Sequence, residues 1–375
     1  MELSPMMRQI ESVPALMTEL LPALRQKAAA LAADPRLQEA KKLVLVGCGD
    51  SYCAALAARP AFAELTGLDA EVSYAIDVAR CLSRRALTRH PGTVYVFISN
   101  SGAVSRMVEA AQRITGMGGT VLAVTGSERS PLYGVSSLAL TMEIPRLCGG
   151  PGMRSYAASV MALYALAVEL AREEEDRARA EALWQQLLAL PPVLEGMMPL
   201  WQQQAAALAP QLASARAFEF IGTAGDYANS FFAYAKELET IGLPASAHNT
   251  EDWLHMNYFI LDVEGTATFQ FVRREEGGYS RSCELRDVAA EMGRPLVVLT
   301  DEPEEAQPSE RPWRMSLPAG TEPLLDPLTG YLPVSLAVGH LAQLLGGEDF
   351  RGTRDHWTAC IDFATVAKSR QIILD

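Results

Sequence analysis

The sequence has no two cysteines at C-x-x-C spacing, and none sits at metal-site spacing from a histidine. Its six cysteines, Cys48, Cys53, Cys81, Cys148, Cys283 and Cys360, are scattered along the chain. Zinc ribbons and CxxC redox centres are therefore set aside, reduced thiols are expected, and neither a metal nor a cofactor is expected. Nothing approaches the ~18 consecutive apolar residues of a membrane span. The opening MELSPMMRQIESVPALM lacks the basic segment and apolar core of a signal peptide, so the expected location is cytoplasmic. Basic residues are the minority, 32 Lys and Arg against 45 Asp and Glu, for a net charge of −13. That argues against a nucleic-acid surface, which needs clustered cations to neutralise phosphates. A small anion is still possible, because a local nest of N–H groups can bind phosphate within an acidic protein.

What is present is apolar material in short, spaced blocks. The 375 residues are 49% hydrophobic and 21% charged, enough for two buried cores. Residues 1–40 carry helical periodicity through Met17, Leu20, Leu21, Leu24, Ala28 and Leu31. KKLVLVGCGDS then reads as a strand and tight turn leading into the helix YCAALAARPAFAELTG, and TVYVFISNSGAVSR and TVLAVTG continue the alternation. A helical stretch from about Ser155 to Leu208, broken at Pro191-Pro192, leads to a second round: ARAFEFIGTAGDY, ATFQFVRREEGGYSR and PLVVLT. Alternation of this kind predicts α/β architecture with parallel, doubly wound sheets. The expected divisions are a helical segment 1–40, a first domain 41–208 with its connector, a second domain 209–345 and a tail 346–375 that closes the site.

The two rounds are in register. Gly47 and Gly222, Glu64 and Glu239, and Gly67 and Gly242 are each 175 positions apart, laying AELTGLDA over LETIGLPA without a gap. Duplication accounts for this better than chance. Ligands of open parallel sheets bind beyond the strands' carboxyl ends. In the first copy, Gly47-Cys48-Gly49-Asp50-Ser51 and Ser99-Asn100-Ser101-Gly102 hold that position. The second copy has Arg273-Arg274-Glu275-Glu276 in place of the serine loop, so the phosphate is assigned to the first copy. The blander account of S-x-S-G is a helix cap.

GCGDSYCAA and SNSG resemble the paired signatures of sugar isomerase (SIS) domains. The copy order resembles the isomerase half of glutamine–fructose-6-phosphate amidotransferase, and the ending VAKSRQIILD resembles that family's tail. The resemblance implies two flavodoxin-like domains and an enzyme acting at C1/C2 of a 6-phosphosugar or its amino or aminoacyl derivative. The activity would be isomerase, deaminase or deglycase, and no glutaminase half is expected. It further implies that Ser99, Asn100 and Ser101 bind phosphate, and that Gly49 and Ser51 bind phosphate or sugar hydroxyls. Ser155 would close on the sugar, Glu239 would be the C1/C2 base, His255 would serve ring opening and Lys368 would form an imine.

Each residue has a plainer alternative: a solvated helix face for Glu239, a structural role for His255, simple exposure for Lys368. His248 competes as the acid, and Glu64 reads as structural. The family's Q-S-G-E-T run is Asn100-Ser101-Gly102-Ala103-Val104 here, and its H-G-P is His255-Met256-Asn257, which leaves the sugar itself open. The rival class is a non-catalytic phosphosugar sensor. A homodimer or higher homo-oligomer is expected, with a sugar phosphate as the small-molecule partner and neither nucleic acid nor membrane.

Overall fold

Short runs such as LVLV and VYVFI have no polar alternation, so they suit strands covered on both faces. In the computed structural model, which describes residues 3–303, 312–347 and 364–374, they form two parallel sheets in two compact units.

The first unit comprises residues 13–147, 152–191 and 352–375. After α1 (Pro5–Glu11), which groups with the second unit, come α2 (Val13–Ala32) and α3 (Pro35–Gln38). Its sheet is built from β1 (Lys42–Gly47), β2 (Asp69–Tyr74), β3 (Thr93–Ser99), β4 (Thr120–Thr125) and β5 (Leu138–Thr141), in the order β2-β1-β3-β4-β5. Helices α4 (Asp50–Thr66), α5 (Arg84–Leu87), α6 (Ser105–Gly116), α7 (Pro131–Val135) and α8 (Met153–Glu169) connect or cover the strands. Val44, Val46, Phe97, Met107, Val121 and Leu132 belong to one buried cluster in this unit.

Helix α9 (Glu174–Leu212) passes through Pro191-Pro192, where a break was expected; the interruption falls at 170–173 instead. Proline's fixed φ is compatible with a helix, and its cost is lost hydrogen bonds to the preceding turn. Residues up to Pro191 group with the first unit and those from Pro192 with the second.

The second unit comprises 1–12, 148–151 and 192–351. Its strands β6 (Ala217–Gly222), β7 (Ala245–Asn249), β8 (Thr266–Val272), β9 (Leu296–Thr300) and β10 (Trp313–Ser316) lie in the order β10-β9-β8-β6-β7. Helices α10 (Ala224–Thr240), α11 (Thr250–Met256), α12 (Tyr279–Glu291) and α13 (Asp326–Leu344) complete it, and α14 (Ala364–Ala367) lies in the tail of the first unit.

The duplication extends to backbone geometry. Lys42 lies opposite Thr93 and Ala217 opposite Thr266, so the inner strands pair alike in both sheets. Gly49 turns into α4 at φ +55°, and Ala224, 175 positions on, turns into α10 at φ +46°. Ala224 is the one non-glycine residue with positive φ among those described. A Cβ in that region meets its own backbone, costing about 1–2 kcal/mol, and glycine's extra chain entropy returns part of any gain. Ala224→Gly is therefore expected to stabilise the protein by about 0.5–1 kcal/mol in denaturant titration. An unchanged or lowered stability would show that Ala224 is unstrained.

Candidate functional site

In the first sheet the chain leaves β1 toward β2 on one side and then turns to β3 on the other. The crevice between the carboxyl ends of β1 and β3 is the topological switch point, where an open α/β sheet accepts a ligand. The two candidate loops flank it.

The first loop, Gly47 to Ser51, enters α4 without a side-chain cap. The second, Ser99 to Val104, enters α6, which also lacks one. Helix α8 follows Gly152 and is likewise uncapped. By contrast α5 and α7 carry serine caps, Ser83 and Ser130, that accept backbone N–H groups. The three uncapped N-termini keep N–H groups and partial positive charge for an anion.

Within the second loop Ser99 is buried, and its Oγ accepts the Gly102 N–H at 3.1 Å, while Asn100 and Ser101 are exposed. Ser101 Oγ accepts the Ala103 N–H at 3.3 Å. Gly102, at φ +57°, is packed so closely that a Cβ there would fall 2.4 Å from Ser130 Oγ and 2.7 Å from Thr125 Oγ1. Any side chain would push the loop off the sheet. The Gly126 N–H donates to the Asn100 carbonyl at 2.9 Å, tying the loop to the end of β4.

Ser51 and Ser155 are half-buried. Ser155 Oγ donates to the Gly152 carbonyl at 3.1 Å. A Cβ at Gly152 would lie 2.6 Å from Ser155 Oγ and 3.1 Å from Asp50 Oδ2, so Gly152 and the β1 loop approach closely. Burial raises the Cys48 thiol pKa, which favours the protonated thiol. Tyr52 and Tyr74 stack at 3.8 Å between ring centroids, beside the carboxyl ends of β1 and β2. The sequence reading missed this pair; a tyrosine following Gly-Cys-Gly-Asp-Ser was the available signal.

The tail, 346–375, was expected to close the site. Its residues 364–374 group with the first unit, where arginines hold its main chain, and residues 346–347 group with the second. Lys368 is exposed, and the next residue, Ser369, accepts from Arg106 Nη2 at 3.0 Å. The first unit thus holds Gly49, Ser51, Ser99, Asn100, Ser101, Ser155 and Lys368. Glu239 and His255 lie in the second. Cys360 and residues 348–363 of the expected tail lie outside the described residues.

In the second unit Glu239, near the end of α10, receives Lys236 Nζ at 2.9 and 2.8 Å. Lys236 is fully buried, with its ammonium 4.7 Å from the centre of the Phe232 ring. His255 Nε2 lies 3.0 Å from Glu251 Oε1, on a side chain 69% exposed. His248 is held more deeply. Burial lowers its pKa, and its Nε2 lies 2.8 Å from both Ser246 Oγ and Asn257 Nδ2. Asn257 also donates to the buried Glu219 at 2.9 Å, as does Trp253 Nε1, so this network braces the segment carrying His255. Glu64, in the first unit, makes an exposed ion pair with Arg179 at 2.7 Å.

Where the first sheet keeps its serine loop, the second fills its crevice with its own charges. Arg273, just after β8, turns inward. Its Nε donates to Asp226 Oδ2 at 2.5 Å, Nη1 lies 3.0 Å from Asp326 Oδ1, and Nη2 donates to Thr329 Oγ1 at 3.0 Å. Asp226 lies in the first turn of α10 and Asp326 opens α13, so internal carboxylates occupy these helix N-termini. Burial alone would lower the Arg273 pKa, but Asp226 and Asp326 raise it and hold the guanidinium charged. Burial lifts Asp326 to about 8 against the pull of Arg273, and lifts Glu276 to about 7 with Asp226 adding to the rise. Among the described residues no cluster of His, Cys, Asp and Glu could hold a metal, and no helix is long and apolar enough to cross a membrane.

A tandem of parallel sheets with a serine loop at one switch point defines the class: an α/β protein with the phosphosugar-isomerase fold. Residues 36–169 match the SIS domain, and the chain carries that domain. It is 23% identical over 315 residues to glutamine–fructose-6-phosphate aminotransferase (isomerizing) of Gloeobacter violaceus, covering 82% of this chain and 49% of the relative. It is 22% identical to the human type 2 enzyme of that name, over 83% of this chain and 44% of the relative. The chain thus spans about half or less of these relatives. Among solved structures it is similar to the C-terminal domain of glucosamine-fructose-6-phosphate aminotransferase from Francisella tularensis. The TM-score there is 0.82 at 16% identity, with 92% of this chain and 96% of the other covered. Tagatose-6-phosphate ketose/aldose isomerase from Escherichia coli follows the same fold at TM-score 0.67 and 16% identity, over 90% and 92% of the two chains.

Proposed function

We propose that the protein is an enzyme acting at C1/C2 of a 6-phosphosugar or of its amino or aminoacyl derivative, by isomerisation, deamination or deglycation. The observation that carries this reading is the crevice of the first sheet, where Ser99–Gly102 and Gly47–Ser51 meet two uncapped helix N-termini. A phosphate dianion suits such a place: backbone N–H groups and serine hydroxyls donate to it, and the helix ends complement its charge. The fold shared with sugar-phosphate isomerases supports the same class.

In this reading Ser99, Asn100 and Ser101 bind the phosphate, with Gly49, Ser51 and Ser155 around the phosphate and sugar. Glu239 moves the proton between C1 and C2, which calls for a positioned carboxylate. His255 assists ring opening. Lys368, when neutral, adds through its amine to the open-chain carbonyl, and water leaves as the imine forms.

The test is purified protein against ketose-, amino- and aminoacyl-6-phosphates, with glutamine and ammonia as separate nitrogen donors. Turnover of at least one phosphorylated sugar is expected, with none of its unphosphorylated form and no use of glutamine. Thermal stabilisation by one compound with turnover of none would sink the enzyme reading in favour of a sensor.

A further inference from the structure

The described end of the tail is gripped by one face of α6. Arg106, Glu109 and Arg113 are spaced by three and four residues, so they share a side of the helix. Each takes a main-chain group of the tail. Arg106 Nη2 donates to the Arg370 carbonyl at 2.5 Å, and Arg80 Nη2 donates to the same oxygen at 2.9 Å. Glu109 accepts the Ile372 N–H. Arg113 Nε donates to the Leu374 carbonyl at 3.2 Å.

The tail groups fall on alternate residues, the repeat of an extended segment, which would advance about 13 Å from 370 to 374. Residues 106 to 113 advance about 10 Å along the helix, a comparable span. From 370 to 374 the α6 side chains thus hold the tail by its backbone, while Ser369 Oγ accepts from Arg106 and Gln371 Nε2 donates to the Ser105 carbonyl at 3.4 Å.

Glu109 organises the grip. It is fully buried, receives Arg80 Nε at 2.7 Å and pairs with Arg106. Burial would raise its pKa, but Arg80, the Ile372 N–H and Arg106 lower it, so the carboxylate stays charged at neutral pH. Arg113 is anchored separately by the carbonyls of Val78, at 2.9 Å, and Leu82, at 2.9 Å. Arg106 is the second residue of α6, the helix that springs from the serine loop, and it also binds Ser369, the residue after Lys368.

We infer that Arg106 is a positioning residue: oriented by Glu109, it fixes Ser369 and Arg370 so that Lys368 is presented at the crevice of the first sheet. The inference rests on the proposed reaction for its chemistry, because Lys368 matters only if it meets the open-chain sugar. The grip itself does not depend on that reaction and can be measured without substrate.

The test uses Arg106→Gln, Arg106→Lys and Glu109→Gln in the full chain. Hydrogen exchange is followed at the Ile372 amide, with β3 amides reporting that each variant is folded. For Arg106→Gln, exchange at Ile372 is expected to rise about tenfold and kcat to fall about tenfold, the equivalent of ~1.4 kcal/mol. The Kd for fructose 6-phosphate should stay within about twofold, and Arg106→Lys should recover part of both losses because it keeps the charge but not the fork. Unchanged exchange in both Arg106→Gln and Glu109→Gln overturns the grip. Faster exchange with undiminished kcat overturns the positioning role. A Kd that weakens in step with exchange would make Arg106 a ligand of the sugar phosphate and overturn it too. Wild-type protein that turns over no sugar phosphate defeats the proposed reaction and the assignment of Lys368 with it, and a protected Ile372 amide would identify that failure as chemical.

Discussion

Arg273→Leu is expected to cost about 3–5 kcal/mol of stability at neutral pH, because it takes the guanidinium from between the buried Asp226 and Asp326 side chains. Asp226 and Asp326 are about 1% and 7% exposed at the side chain, and Arg273 is the guanidinium between them. Restoring what the first unit has at these places should recover most of the loss. Asp226 corresponds to Ser51 by the 175-residue repeat, and Met153 opens α8 as Asp326 opens α13. The combination Arg273→Asn, Asp226→Ser and Asp326→Met removes the charges together, and such exchanges of buried ion pairs are often neutral or better. Denaturant titration of both variants decides the matter. A single Arg273→Leu within about 1 kcal/mol of wild type would show that the cluster is solvated and does not lock the crevice.

The pH dependence has a definite sign. Glu276 and Asp326 titrate at about 7 and about 8 in the folded protein. In the unfolded chain, carboxyls titrate near 4. Between those values the folded state binds more protons, so this cluster's contribution falls as pH rises from about 4 toward 8. Glu276→Gln should flatten that decline in a series of thermal midpoints, with its largest gain over wild type at the alkaline end.

Glu239→Gln is the second large effect, expected as a fall in kcat of about 10²–10⁴ with phosphosugar affinity nearly unchanged. The substitution keeps the shape and removes the carboxylate proposed as the base. It also removes the negative charge paired with Lys236, whose ammonium is buried. Stability and turnover therefore have to be read on the same samples. A residue acting only as a counter-ion would give a less stable protein whose folded fraction keeps its full kcat, and that result would defeat the catalytic role.

Six strands were legible because their runs are mostly apolar: β1, β3, β4, β6, β8 and β9. The four that were not, β2, β5, β7 and β10, all lie at the sheet edges. An edge strand has a neighbour on one side only, and Ala245–Asn249 is half-buried along its whole length, so no apolar run marks it. The glycine turns and the 175-residue register were legible as spacing alone.

The inward course of Arg273 was not. In Arg273-Arg274-Glu275-Glu276 four charges stand side by side, and nothing local distinguishes the one that is buried. Its partners lie 47 and 53 positions away and become relevant only once β8, α10 and α13 converge. The tail is similar. Its SIS-like ending pointed to Lys368, but the grip on Arg370, Ile372 and Leu374 runs through the backbone, which leaves no trace in side-chain pattern.

The filled crevice of the second sheet has a thermodynamic consequence. A site neutralised by its own side chains owes nothing to mass action, whereas a site completed by an outside anion gains RT ln(1 + [L]/Kd) as metabolite accumulates. The two halves of one duplicated chain would then respond unequally to supply. One would have the same resistance to unfolding in a starved cell as in a fed one; the other, on the proposed function, would tighten and slacken with the concentration of its sugar phosphate.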